Sequence, residues 1–432
     1  MPKKKKKKTL DDVNRMVDEM EEREEEKNVF ITSIIAERIG DISALTPATV
    51  IGLPQLKRTQ KDIALIVAEL ERVQNEQIKA IKEVIRTSAE VTYNTTQYAL
   101  KQSENAPQLP TLSENREVKK VIEQAEKQAV DNFKNEYRTQ AFMLRDRTNP
   151  KNLIPTSLSK AYQTAVDEAT QTIITSGERW EKEGKSTNYT TVMRQTVKQL
   201  ADSGVRVVVV RKDGTETNKV AYESERLRYH TQRLDTAVKR NVLDSVRMVN
   251  QSVQNKVGEQ IGADGVEITV HRYPAEDHAP VQGHQFKNEE FAKMQNGEDC
   301  KDIQGRTYAG FQRPIGMWNC RHFTFSIICG VFPQTYNDQQ LAEILKENDK
   351  GYTLPNGKHL TMYQCTQQQR KMETEIRYAK EGKITAEKAG DSQLADEFQA
   401  RVVELLNDYR AFSNACGLSI KPKNIFVQGY KQ

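Results

Sequence analysis

An α+β fold is what the hydrophobic patterning of this 432-residue chain predicts, with a helix-rich N-terminal region, a small mixed α/β module in the centre and a C-terminal helical hairpin. Three observations lead there. Apolar residues recur at three- and four-residue steps over roughly the first 260 positions. β-Branched runs interrupt that period after Gly204, and rare residue types crowd into residues 271–377 before helical spacing returns. The chain divides accordingly into a charged, disordered tail (1–27), a helical arm or assembly region (28–203), the mixed α/β module (204–365) and a C-terminal helical region (366–432).

The tail is expected from charge. Lys3, Lys4, Lys5, Lys6, Lys7 and Lys8 form an unbroken basic run, and residues 11–26 are strongly acidic, with only Arg15 and Arg23 in opposition. Like charges repel and resist burial, so both blocks read as solvated. The lysine run suits non-specific contact with a phosphate backbone, and a merely solvated tail is the plainer alternative. Acidic residues, not an apolar stretch, come after the lysines, and no apolar run approaches a membrane span, so the chain reads as soluble and made in a cytoplasm, with no membrane partner. Five irregularly spaced cysteines argue for a reducing compartment.

Helices come next. Ile63, Ile66, Leu70, Val73, Ala80 and Val84 make one stripe, with Gln77 in one of its slots. Pro107 and Pro110 mark a linker, because proline lacks a backbone donor and resists helix continuation. Val118, Ile122, Ala125, Ala129, Phe133 and Tyr137 make a second stripe, and Tyr162, Val166, Ala169 and Ile173 a third. Residues 205–210 read as a strand, with a turn at residues 212–215. Val238, Val242, Val246, Val249, Val253, Val257 and Ile261 then build a nearly all-valine helix face with Asp235 as N-cap. Valine is a mediocre helix former, so this helix must rely on packing. Val266, Ile268 and Val270 alternate as a strand ending at His271. A hairpin is expected to turn on Pro355, Asn356, Gly357 and Lys358, and a last helix from Leu394 to Cys416 is capped by Gly417.

Five of the six histidines and four of the five cysteines lie between His271 and Cys365. As zinc ligands, His271, His278, His284, Cys300, Cys320 and His322 are available, the core candidates being His271, His278, Cys320 and His322. Cys320 and His322 are two apart, so an extended backbone would put them on one face. The spacing lacks a Cys-x-x-Cys knuckle, and the expected alternative is a set of half-buried polar groups bonded to loop backbones, with no cofactor. As catalysts, His278, Arg321 and His322 supply the base, phosphate clamp and acid of a metal-free ribonuclease or toxin-like enzyme. No glycine-rich phosphate loop or Gly-x-Ser-x-Gly elbow accompanies them. Further on, Arg370, Glu373 and Arg377 are spaced to form an ion-pair ladder on one helix face, either solvated or docked on a partner.

These motifs carry a resemblance. His271-Arg272-x-Pro274, Asp277-His278-Ala279, Gln282-Gly283, Trp318-Asn319-Cys320-Arg321-His322 and the run from Gln369 and Arg370 through Glu373 to Ile376 and Arg377 resemble the phage minor capsid protein 2 family. The likeness is strongest from Tyr189 onward. Val281 stands where the family usually has tryptophan, His284 where lysine is common, and Arg272-Tyr273 where Gly-Ala-Arg is usual. A shared active site would tolerate such changes poorly, so Asp277, Gly283, Asn319, Cys320, Gln369, Arg370, Glu373 and Arg377 are expected to be structural. The resemblance implies a low-copy structural component of the virion, not an enzyme. It would sit in the capsid interior near the portal, after assembly in the host cytoplasm, and act in head assembly, DNA packaging or ejection. Its partners would be the portal protein, the major capsid or scaffold proteins and packaged double-stranded DNA. The rival readings are the ribonuclease and a zinc-stabilised nucleic-acid-binding protein.

Overall fold

The computed structural model describes residues 8–43, 53–101, 107–138, 140–145, 153–156, 198, 204–210, 229–310, 313–316, 320 and 322–431. Four long helices dominate: α1 (Leu10–Ser43), α2 (Leu53–Lys101), α3 (Arg116–Arg138) and α4 (Leu234–Ile261). They pack against one another as a bundle. Val17 and Ile35 of α1, Ile81 and Ala89 of α2, Phe133 of α3 and the valines of α4 share one continuous apolar core. The valine stripe behaves as expected: Val238, Val242, Val249, Val253 and Val257 are fully buried. Burial of such a side chain contributes roughly 1.5–3 kcal/mol, more than enough to offset valine's weak helix propensity.

Several polar side chains inside the bundle hydrogen-bond across helices. Gln77, the odd member of its stripe, donates to the Met20 carbonyl at 2.7 Å and to Glu24 at 3.1 Å. Ser88 and Thr92 donate to Asn250 Oδ1 at 2.7 and 2.8 Å, and Gln254 donates to Thr96 at 2.7 Å, which fixes the register of α2 on α4. Tyr93 donates to the Pro110 carbonyl at 2.8 Å, anchoring the proline linker between α2 and α3.

The first correction concerns the tail. From Leu10 the acidic segment is helical, and Val13, Val17 and Met20 are buried. Its charges are taken up by partners distant in sequence: Lys239 binds Glu21, Lys423 lies 3.0 Å from Glu22, and Arg377 binds Glu25. A second correction concerns the arm, which is not purely helical. Strands β1 (Gln140–Arg145) and β2 (Leu153–Thr156) join β3 (Arg206–Val210) and β4 (Tyr229–Arg233) in an antiparallel sheet of order β2-β1-β3-β4. That sheet crosses the boundary expected at residue 204, and α4, expected in the central module, is a wall of the bundle. The third helical stripe and the turn at residues 212–215 lie outside the described residues.

Beyond α4 the chain turns at Gly262 (φ +67°) into β5 (Gly265–Ile268). This strand is central in a three-stranded sheet, with β6 (Gln285–Lys287) on one side and β9 (Thr324–Ile327) on the other. Helix α5 (Asn288–Gln295) and the pair β7 (Cys300–Lys301) and β8 (Thr307–Tyr308) cover a small core of Val266, Ile268, Val281, Phe286 and Met294. Helix α6 (Asp338–Lys350) comes after β9, then the expected hairpin as β10 (Tyr352–Thr353) and β11 (His359–Leu360). The C-terminal hairpin is α7 (Met362–Lys388) and α8 (Ser392–Ala415), with a short 3-10 turn at Pro422–Ile425. Thr361 and Gln364 form a reciprocal capping box at the start of α7. Gly417 (φ +67°) ends α8, where the Leu418 amide returns to the Ser413 carbonyl at 2.8 Å. Asp235 is not an N-cap: Arg233 occupies that position without a side-chain cap, and Asp235 is buried in the first turn against Arg233.

Candidate functional site

The short strand β5 leads directly into the turns that carry the first motif histidines. Its chain end is held by Thr269, whose amide donates to the Phe323 carbonyl and whose hydroxyl accepts from the Phe323 amide. Residues 275–283 then fold into tight turns, the His278 amide reaching the Ala275 carbonyl and the Gln282 amide the His278 carbonyl. Gly283 (φ +75°) ends them, and a Cβ there would lie 2.6 Å from Leu341 and 2.9 Å from Val270. Both its backbone conformation and its close packing therefore require glycine.

This folding brings three candidate ligands together. His278 and His322 are buried, Cys320 is half-buried, and the ligand atoms of all three lie within 4.8 Å of one another. Cys320 Sγ stands 3.2 Å from His278 Nδ1 and 3.4 Å from His322 Nδ1. The opposite nitrogens face oxygens: His278 Nε2 is 2.7 Å from the Arg313 carbonyl, and His322 Nε2 is 3.3 Å from Gln282 Oε1. That Gln282 oxygen also accepts from the His271 amide at 2.9 Å, which fixes its orientation. Arg313 grips Asp277 with two hydrogen bonds of 2.9 and 2.7 Å. The His271 ring packs edge-on against His322 with centroids 4.3 Å apart.

Burial is the leading influence on charge here. It lowers the His322 imidazolium to about 2, with His271, His278 and Arg313 adding repulsion. Burial also lowers His278 and raises the Cys320 thiol. Near neutral pH the cluster therefore holds neutral imidazoles and a protonated thiol. For the ribonuclease reading, the two rings do meet, with centroids 5.4 Å apart. Burial holds His322, the expected acid, neutral near pH 7, however, and both Nδ1 atoms face the thiol. Arg321, the expected phosphate clamp, and Asn319 lie outside the described residues.

His278, Cys320 and His322 form the base of a cleft of about 750 Å³. One wall carries His271, Arg272, Pro274 and Arg313; the other carries Thr366, Gln367, Gln369, Arg370 and Glu373 of α7 with Gly417 and Lys421 after α8. The two motif groups, distant in the chain, thus line one cleft. Buried hydrogen bonds shape the second wall. Gln369 donates to Ser413 at 3.0 Å and to the Ser419 carbonyl at 3.1 Å. Glu373 accepts from Tyr409 at 3.0 Å and from Asn424 at 2.9 Å.

Several expectations need revision. The ladder of Arg370, Glu373 and Arg377 does not form: Glu373 is buried against α8, and Arg377 turns to Glu21 and Glu25 of α1. Buried acceptors and acidic partners on α1 compete better than neighbours along a solvated face, where a pair is worth only ~0.3–0.5 kcal/mol. Only Arg370 of the three remains exposed, at the cleft rim. His284 joins Arg306 instead, 2.7 Å from its guanidinium, and Cys300 is buried in the small apolar core. Sequence reasoning missed Arg313 as a functional neighbour. Its signal was weak, a single arginine before Pro314 with no recognisable spacing.

The family model for phage minor capsid protein 2 matches residues 31–414. Neither the curated proteins nor the solved structures yield a match to this chain.

Proposed function

This chain belongs to the phage minor capsid protein 2 family, and from that premise we propose that it is built into the head beside the portal and acts in head assembly, DNA packaging or ejection. As a phage minor capsid protein it is a structural component of the virion. The observation that carries the reading is the extent of the family match, which runs over the helical bundle, the cleft and the C-terminal hairpin together. The shared apolar core of α1, α2, α3, α4 and the turn between α7 and α8 supports the same view, since it suits a rigid part held in a larger assembly. The portal protein and the major capsid or scaffold proteins are the partners this reading requires. Among the described residues, no helix is long and apolar enough to cross a membrane.

Quantitative mass spectrometry of purified virions beside portal-deficient particles tests the proposal. The expected result is a low copy number in virions and loss of the protein when the portal is missing. Equal amounts in both particles would overturn portal association, and absence from virions would overturn the structural role.

Packaged double-stranded DNA is the second proposed partner, through the lysines at the N-terminus. Lys3 to Lys7 lie outside the described residues, while Lys8 donates to Thr87 of α2 at 2.8 Å. A chain lacking residues 3–7 is expected to bind duplex DNA more weakly at low salt. Its slope of log affinity against log salt should be shallower by up to ~0.9 for each phosphate that the lysines no longer neutralise. An unchanged slope would exclude these lysines from DNA binding.

A further inference from the structure

We infer that His278, Cys320 and His322 bind a divalent transition-metal ion, zinc by its donor preference, at the base of the cleft. This reading is independent of where the protein sits in the virion. It rests first on distance. A zinc ion bound tetrahedrally to sulfur and imidazole nitrogen would hold those two donors about 3.6 Å apart, from bond lengths of roughly 2.3 and 2.0–2.1 Å. The two sulfur–nitrogen separations are 3.2 and 3.4 Å, and all three donor atoms lie within 4.8 Å of one another, so the side chains already stand close to that spacing.

Hydrogen bonding is the second ground. Each ring has its Nε2 against an oxygen, the Arg313 carbonyl for His278 and Gln282 Oε1 for His322. An oxygen can only accept, so each ring keeps its proton on Nε2 and turns the lone pair of Nδ1 towards Cys320. The thiol has one proton and faces two such lone pairs. The single thiol proton can be given to only one of these two nitrogens at a time. A divalent cation satisfies both nitrogens and the thiolate at once. The Arg313 carbonyl and Gln282 amide are then the outer contacts that orient metal-bound imidazoles, and the Asp277 carboxylate holds Arg313 in place.

Two imidazoles and one thiolate suit zinc, a borderline-soft ion, better than magnesium or calcium, which prefer oxygen. All three ligands line the cleft. The ion would tie the turns of residues 275–283 to the segment entering β9, adding a cross-link beside the pairing of β5 with β9.

Cobalt substitution of the full chain tests this. After chelation, one equivalent of Co²⁺ is expected to produce a thiolate-to-cobalt charge-transfer band and the visible bands of a tetrahedral ion. Zinc should abolish both. Chelation should lower the melting temperature and zinc restore it. Cys320→Ser should eliminate the charge-transfer band, whereas Cys329→Ser, outside the cluster, should keep it. Absence of the band in the unsubstituted protein overturns the site, as does its survival in Cys320→Ser. If Cys320→Ser fails to fold, the titration and melting of the unsubstituted protein decide alone.

Discussion

Replacing Arg233 with methionine is expected to lower the unfolding free energy by about 3–5 kcal/mol at neutral pH, the cost of stranding buried charges. Arg233 is only 4% exposed. It donates to Glu381 of α7 at 2.8 and 3.1 Å and to Asp235 of α4 at 3.1 Å, and its guanidinium lies 4.0 Å over the Tyr378 ring. Asn28 of α1 extends the network, donating to Glu381 at 3.1 Å and accepting from the Val205 amide at 2.7 Å. One guanidinium thus secures the meeting point of α1, α4, α7 and the sheet. Arg233→Met keeps much of the apolar stem but leaves two carboxylates in the interior.

The pH dependence gives this prediction its signature. Burial raises the Glu381 carboxyl, with Arg233 the main opposing charge; for Asp235 burial also works upwards, but Arg233 and Arg377 bring it below its ordinary value. Without Arg233 both carboxyls move up. A carboxyl that holds its proton more tightly when folded costs stability as pH rises above its unfolded value of about 4. The deficit of the variant should therefore be smallest near pH 5 and grow towards pH 7.5. Urea unfolding at the two pH values measures it. A deficit below ~1 kcal/mol at pH 7.5, or one independent of pH, would contradict the charge network as the source of stability.

Much of this architecture was legible because local rules agreed with the final packing. The stripe on α2 ran towards the Pro107 linker, that on α4 stopped at Gly262, and the hairpin of β10 and β11 was announced by Asn356-Gly357. Charge was misleading wherever its partner lay far away in sequence. Glu24, Lys27 and Arg38 of α1 are buried, yet in the sequence they are indistinguishable from solvated residues. The same holds for Arg377, whose ion pairs are with Glu21 and Glu25 of α1. At the candidate site, residue types were readable and their grouping was not. His271, His278, Cys320 and His322 were singled out over His284 and Cys300, but nothing in the sequence showed which of them meet. Nor could it show that α7 closes the same cleft, because that depends on how the hairpin returns to the module.

Lys27→Met is expected to be comparably damaging, again by about 3–5 kcal/mol. Lys27 and Glu24 are both fully buried side chains one helical turn apart, and they bind each other directly. Tyr137 of α3 donates to Glu24, and Gln77 of α2 adds a hydrogen bond at 3.1 Å, so the Glu24 carboxylate is where α1, α2 and α3 converge. Burial lowers Lys27 from its ordinary value and Glu24 opposes that shift, which shows how far the ammonium depends on its partner. The decisive comparison is a double-mutant cycle. Glu24→Leu combined with Lys27→Met removes the whole pair, leaving Gln77 its second bond to the Met20 carbonyl. The double variant should recover ~2 kcal/mol or more of the loss in Lys27→Met, because no unpaired charge remains. Strictly additive losses in chemical denaturation would mean the pair is not coupled. Recovery would establish that the acidic N-terminal helix is an integral wall of the bundle, whose charges are retained for where they pair and not for solubility. Limited proteolysis then reads the same event locally: Lys27→Met should expose α1 to cleavage, and the double variant should protect it again.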